Sequence, residues 1–365
     1  MLTTAAPVPI APASLAVVGA GWRAEYILRI AAALADRFEI TGLVVRDDAQ
    51  AERMRRTWGL PVFATLGELL RHRRPDFVVL SVTPEAAPEL IAQSIRSDVP
   101  VLTETPPAAG RDDLVALFRT VGSEARVQVA EQYHLQPLTA AQLSIARSGA
   151  LGEVRECRVS ISHGYHAVSI MRRMLEIGFE DAVITASRYS TPLIGGPGRS
   201  GDPVEETVGV AEQTLAHIDF GGKHGVYDWA PAQNRSWIRR THLLARGERG
   251  EIDGLEVRYL KDFRTPVEYT IRRVDTGQYT NLEGHFLRGM LAGQDWVYRN
   301  PFAPTGLTDD EIAVADCLAR MASYAAGGDG FYSLAEAAQD HHLGLAIEEA
   351  ARTGRAVRTS PQVWV

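Results

Sequence analysis

The sequence predicts an α/β protein: a doubly wound parallel sheet first, then an α/β domain built on a mostly antiparallel sheet. Two observations carry this. Before about residue 150 the apolar runs are short, continuous and β-branched, and they alternate with segments of helical periodicity, as in a parallel sheet covered on both faces. After that point the strands alternate apolar with polar and meet at glycine turns, as in an antiparallel sheet with one face packed on helices. With 365 residues the chain exceeds one ordinary core, so two domains are expected.

Residues 1–14 carry three prolines and no positively charged n-region, so they read as a flexible arm rather than a signal peptide. SLAVVGAGWRAEYILRIAAAL is a strand, a tight glycine turn and a helix with Ile27, Ile30, Ala31 and Leu34 at helical spacing. FEITGLVV is a second strand, and DAQAERMRRTWG a helix stopped by Gly59. PDFVVLSVT and VPVLTET are buried strands on either side of the helix PEAAPELIAQSIRS. ARVQVAEQYH closes the series after the helix RDDLVALFRTVG, giving a first domain over 15–135.

The second domain is expected over 136–365. LGEVRECRVSIS and EQTLAHIDF alternate, and the latter turns at Gly221-Gly222 into HGVYDWA. THLLARGERGEIDGLEVRYL reads as two strands joined at a glycine turn. STPLIGGPGRSGDPVEET is expected to be a mobile loop or one that borders a site. A last amphipathic helix, about 333–353 and ended by Gly354, is expected near the domain interface.

A net charge of -7 argues against nucleic acid or an anionic membrane as partner. No apolar run of about 18 residues is present to span a bilayer. Cys157 and Cys317 form neither a disulfide framework nor a metal pattern, which fits a reducing cytoplasm. Lysine occurs only at Lys223 and Lys261, so almost all positive charge is arginine.

The turn after the first strand reads Gly19-Ala20-Gly21-Trp22-Arg23-Ala24. In such a G-x-G-x-x-A the first glycine permits the turn, the second admits a pyrophosphate to the backbone, and the small third residue allows close helix packing. The helix N-terminus then faces the phosphates. Glycine turns also serve packing alone, but this one opens the first βαβ unit, the context a dinucleotide site requires. At the end of the second strand Arg46 suits a 2′-phosphate and Asp47 a ribose, so the cofactor is read as NAD(P).

In order and spacing, several stretches resemble the Gfo/Idh/MocA oxidoreductases, the family of glucose–fructose oxidoreductase and inositol dehydrogenase. They are the glycine turn, SVTPEAAPEL with Thr83, VLTETPPA with Glu104, Thr105 and Pro106, LGEVRECRVS, HGYHAVSIMRRMLEIG and ARGERGEIDG. The resemblance covers roughly residues 15 to 357. It implies a Rossmann domain followed by an α/β domain with a large open sheet that often forms a dimer or tetramer interface. It also implies oxidation of a CH–OH group, or reduction of a ketone, in a sugar or cyclitol-like substrate.

The family places a lysine in Glu-Lys-Pro, and a histidine with an aspartate four residues before it. Here those positions hold Thr105, His166 and Ser162. Thr and Ser can hydrogen-bond a hydroxyl but do not titrate near neutral pH. His166 is therefore the candidate for handling the proton, with His163, Tyr133 and Thr105 assisting. Glu131, His134, Tyr165 and Ser162 are candidates for holding substrate. Gly19, Gly21, Trp22, Arg23, Ala24, Arg46, Thr83, Glu104, Thr105 and Pro106 are candidates for holding the dinucleotide.

Other roles compete for several of these groups. His166 shares a helical stripe with Ile170 and Met174, the pattern of a core histidine. His163 and His166 lack a third metal ligand, so no metal is expected. Asp340, His341 and His342 are read as a solvated or interface face, because consecutive helical residues point apart. Tyr227, Asp228 and Trp229 are either a sugar-binding wall or core. Loss of both the lysine and the aspartate also leaves two further readings. One is redox-neutral glycoside cleavage by transient oxidation and elimination, and the other is a dinucleotide-binding protein without catalysis.

Overall fold

Valine- and leucine-rich runs of two to seven residues pair in parallel throughout the first part of the chain. The computed structural model describes residues 11–198, 200–277 and 282–365, so most of the expected arm lies outside the described residues. The first sheet contains β1 (Ala13–Val18), β2 (Phe38–Val44), β3 (Val62–Phe63), β4 (Phe77–Leu80), β5 (Val101–Thr103) and β6 (Val127–Val129). Between them run α1 (Trp22–Ala33), α2 (Asp48–Trp58), α3 (Leu66–His72), α4 (Ala87–Arg96) and α5 (Arg111–Val121). The strand order β3-β2-β1-β4-β5-β6 reverses direction between β1 and β4. Ligands of such sheets bind outside the carboxyl ends of the strands at that reversal.

The rest of the chain contributes α6 (Pro137–Arg147), β7 (Val154–Ser160), α7 (Gly164–Leu175), β8 (Val183–Ile194), β9 (Val208–Asp219) and β10 (His224–Trp229). There follow β11 (His242–Gly247), β12 (Gly250–Asp253), β13 (Glu256–Asp262), β14 (Thr265–Asp275), β15 (Leu287–Ala292) and β16 (Asp295–Arg299). Last come α8 (Asp309–Ala325), α9 (Leu334–Thr353) and β17 (Val357–Arg358). The strands form one eleven-stranded sheet, ordered β16-β15-β14-β13-β12-β11-β7-β10-β9-β8-β17. Only β7 and β10 pair in parallel; the other pairings are antiparallel. The molecule is thus a parallel Rossmann sheet plus a large, mostly antiparallel sheet.

Three expectations change. The segment read as two strands at a glycine turn is three, because Gly254 adopts φ 62° and makes a second turn between β12 and β13. The expected loop from Ser190 begins only after Ile194, since β8 and β9 stay in register through Ile194 and Val208; Arg199 lies outside the described residues. Of the solvated or interface face read for Asp340, His341 and His342, the solvated half changes: all three are buried, against Arg172, Ala109 and Arg111. Helix α8 had no counterpart in the reading of the sequence. It starts at a capping box in which Thr308 Oγ1 accepts from the Glu311 amide at 3.3 Å and Glu311 Oε2 accepts from the Thr308 amide at 2.9 Å.

Both faces of the first sheet are closed by late parts of the chain. Ile312, Leu318 and Met321 of α8 share a core with Leu15, Val17 and Ile27. Tyr332, Ala337 and Trp364 share another with Val18, Val78 and Val101. Helix α9 also packs on α7 and β8, so it touches both sheets' domains. At this junction Asp340 Oδ1 accepts from Arg172 Nη1 at 2.6 Å and Asp340 Oδ2 accepts from the Tyr332 hydroxyl, all three residues being buried.

Removing one partner of a buried pair strands the other charge, which is far costlier than replacing both. Asp340→Ala is expected to lower stability by about 3–5 kcal/mol, read as a reduced urea midpoint at unchanged m-value. Asp340→Asn, which keeps hydrogen-bonding capacity for Tyr332, should lose less.

Candidate active site

The glycine turn lies where β1 meets the reversal of the sheet. Gly19 adopts φ 125°, and a Cβ there would stand 2.2 Å from the Ser81 carbonyl at the end of β4, so only glycine fits. Gly21 differs. Its Cβ would meet no protein atom within 4 Å, so packing gives no reason for glycine at the N-cap of α1. Such a residue suits a ligand that approaches the backbone closely, and the helix has no side-chain cap to compete for its first amides. Ala24 is fully buried in the core behind the turn. These residues fit a dinucleotide.

Around the turn, Arg23 Nε donates to Glu104 Oε1 at 2.8 Å, and Arg23 Nη1 lies 3.9 Å from Asp310 Oδ2. Asp310 also accepts from the Tyr26 hydroxyl at 3.0 Å and from Gln136 Nε2 at 3.2 Å. Arg53 Nη2 donates to the Ala20 carbonyl at 3.1 Å. Asp310 and Arg53 were invisible to sequence reasoning, because nothing in their local pattern marks a partner so far along the chain. Trp22, Arg46 and Thr83 are exposed, and Pro106 is half-buried. Asp47 is used as the N-cap of α2, its Oδ1 accepting from the Gln50 amide at 2.8 Å.

A second cluster forms where β6 ends and α7 begins. Glu131 has no solvent exposure, and its Oε2 lies 2.5 Å from His166 Nδ1. An ionised carboxylate only accepts, so Nδ1–H donates to it. Glu131 Oε1 accepts from the Tyr133 amide at 3.0 Å. Among the described residues His166 Nε2 has no hydrogen-bond partner, and it is not among the buried orphan atoms, which makes it the edge available to a ligand. The imidazole touches the rings of Tyr133 and Tyr165, each with its centroid 4.4 Å away, and His163 is 4.9 Å away.

Ser162 is buried beside His163, with Oγ 3.5 Å from His163 Nδ1. Partial desolvation of a residue that still reaches the surface, then the neighbouring His166, pushes His163 down to about 4, so it is neutral at pH 7. Thus His166, His163, Tyr133, Tyr165, Ser162, Glu131 and Thr105 are brought into one neighbourhood.

Two candidates fall elsewhere. His134 is buried against Tyr332, ring centroids 5.8 Å apart, and the charges acting on it are Arg173, Arg320 and Arg147. It turns away because Tyr133–Leu135 form a 3-10 turn that points successive side chains in different directions. Tyr227 and Trp229 are core rather than wall: both are buried, and the Tyr227 hydroxyl accepts from the Gly164 amide at 3.2 Å. Asp228 pairs with Arg158. Among the described residues, no group of three or more His, Cys, Asp or Glu is placed to hold a metal ion. No helix among them is long and apolar enough to cross a membrane.

Two outcomes follow. Gly21→Ala should leave the urea midpoint nearly unchanged, a shift of about 1 kcal/mol or less. It should weaken NADH binding at least about tenfold (~1.4 kcal/mol), measured by protein fluorescence quenching. The second concerns pH. Burial, then Arg111, also pushes His342 down to about 4. Unfolded, these histidines take up protons near 6.5, whereas His163 and His342 in the folded chain resist until about 4. Their stabilisation is complete above pH 6.5 and lost as pH falls toward 4. Urea midpoints should drop across that window, and His342→Gln should flatten the slope.

Residues 13–133 match the model of an oxidoreductase family with an NAD-binding Rossmann fold, Gfo/Idh/MocA. Among solved structures, an oxidoreductase from Agrobacterium radiobacter in complex with NAD+, L-tartaric acid and magnesium is 18% identical. It superposes with a TM-score of 0.67, covering 94% of this chain and 98% of its own. A levoglucosan dehydrogenase in complex with NADH and levoglucosan is 14% identical, TM-score 0.68, with 96% and 100% covered. A myo-inositol dehydrogenase from Corynebacterium glutamicum is 16% identical, TM-score 0.64, with 96% and 99% covered. At such identities the superpositions speak for the fold. No curated protein matches the chain. Residues 13–133, with the glycine turn intact, thus match the NAD-binding Rossmann domain of the Gfo/Idh/MocA oxidoreductases.

Proposed function

We propose that this oxidoreductase uses NAD(P) to interconvert a CH–OH group and a ketone in an uncleaved sugar or cyclitol-like substrate, with His166 as the group that takes the hydroxyl proton. One observation carries the reading: the buried Glu131 carboxylate stands 2.5 Å from His166 Nδ1. The aspartate missing at position 162 is thereby replaced by a carboxylate from the end of β6. When bound, the nicotinamide supplies hydride exchange with the substrate carbon. The residues of the chain manage the proton. Glu131 fixes the tautomer that leaves Nε2 as acceptor, and its charge stabilises the imidazolium once the proton arrives. Neutral His163 and buried Ser162 can hydrogen-bond but not titrate at pH 7.

The solved structures with levoglucosan and the myo-inositol dehydrogenase support the substrate class by likeness of fold. A buried carboxylate–imidazole pair with its Nε2 edge open to a ligand suits proton transfer, which favours catalysis over the non-catalytic reading. A second copy of the chain is the proposed partner. The outer face of the large sheet carries exposed Tyr189 and Leu215, and a groove of about 380 Å³ runs over β11 to β14. Patches of this kind favour association.

The test is absorbance of reduced nicotinamide with NAD+ or NADP+ on levoglucosan, myo-inositol and a panel of neutral polyols. Glu131→Gln should reduce kcat by about 10²- to 10⁴-fold, and His166→Ala at least as much, with NADH binding retained. Glycosidic cleavage without net NADH would favour the redox-neutral reading instead.

A further inference from the structure

We infer that the Tyr165 hydroxyl, docked on Thr105 and backed by His341, orients the substrate hydroxyl in place of the lysine absent from position 105. This rests on the oxidoreductase reading above. Tyr165 is in the first turn of α7, and its ring lies 4.4 Å from that of His166. Its hydroxyl donates to the Thr105 carbonyl at 3.4 Å. The phenolic oxygen thus lies at the residue that would otherwise carry an ammonium group. A 3.4 Å contact is long for an O–H donor, so exchanging it for a substrate oxygen sacrifices little.

The ring is held from behind. His341 meets Tyr165 edge-on, centroids 5.4 Å apart, and its Nε2–H donates to the Ala109 carbonyl at 3.0 Å. Gly344, three residues on, faces the same place: a Cβ there would stand 3.0 Å from the Tyr165 amide nitrogen. That absence of a side chain lets α9 approach the first turn of α7. His341 is therefore a positioning residue, acting through Tyr165 and the 104–110 loop. Burial pushes the Tyr165 phenol up, so it stays protonated at neutral pH and serves only as a donor. The substrate hydroxyl gives its proton to His166 Nε2 while accepting from Tyr165, and the phenol ends with the proton it began with.

The experiment uses the full chain with NAD+ or NADP+ and either myo-inositol or levoglucosan, whichever wild type oxidises. Tyr165→Phe should lower kcat about 100-fold, with KM within about threefold and NADH binding intact. Adding Thr105→Lys to that variant should restore at least about tenfold, since an ammonium returns to the same place. His341→Phe should cost about tenfold alone and nothing further beside Tyr165→Phe, the non-additivity of groups acting as one unit. Activity of Tyr165→Phe within about twofold of wild type overturns the proposal. So does failure of the added lysine to restore activity while NADH still binds. Wild type inert on both polyols counts against the substrate reading, not this one. Tyr165 is then followed by Cζ-labelled tyrosine NMR as myo-inositol is added to the NADH-bound protein. A Tyr165 signal that moves supports the proposal, and one that stays fixed overturns it.

Discussion

A carboxylate sealed from water and an imidazole from a different domain share one short contact, and much of the structure serves to keep it. Glu131 ends the strand series of the first domain; His166 opens the helix that covers the second sheet. An unpaired buried carboxylate would cost several kcal/mol, so Glu131 needs both its partners, His166 Nδ1 and the Tyr133 amide. Hydrogen bonds tolerate only a few tenths of an ångström before weakening. The two domains must therefore hold their relative position to that precision, which no loop could provide.

Helix α9 provides it. One stretch of the helix turns Asp340 toward Arg172 of α7, His341 toward the carbonyl of Ala109, and His342 toward Arg111 of α5. Consecutive helical residues point apart, which argues against a shared metal and at the same time lets the helix grip three elements. The strand-like segment before it does the same for β6: the Tyr332 carbonyl accepts from the Val129 amide at 2.9 Å, and Gln128 Oε1 accepts from the Phe331 and Tyr332 amides at 2.8 Å. The residues that fix β6 thereby fix Glu131, two positions beyond its end.

Much of the fold was legible because it rests on local signals. Continuous apolar runs marked the parallel sheet, alternation marked the antiparallel one, and Gly59 and Gly354 marked helix ends that the structure shows as left-handed caps. The third strand around Gly254 was missed because two glycine turns in quick succession resemble one. The site was legible only in outline. His166 and Glu131 stood out as polar groups at element ends, but 35 positions separate them, and no periodicity reports a contact between domains. His134 failed for the opposite reason: adjacent to Tyr133 in sequence, it is turned into the core by a 3-10 turn. The buried histidines of α9 looked solvated because their burial depends on a loop more than 200 residues earlier.

The closure of the first sheet by α8, Tyr332 and Trp364 bears on how the protein is made. Domains usually fold as they leave the ribosome, earlier ones first, at about 5–20 residues per second. Here the strands of the first domain are complete by Val129, yet one face waits for Ile312 to Met321 and the other for Tyr332 to Trp364. At those rates about 10 to 50 seconds pass between Val129 and the residues that cover it. During that interval the nascent parallel sheet exposes apolar surface, a state prone to aggregation and served by chaperones. The same architecture that joins the two halves of the active site thus makes the first half to be synthesised the last to be finished.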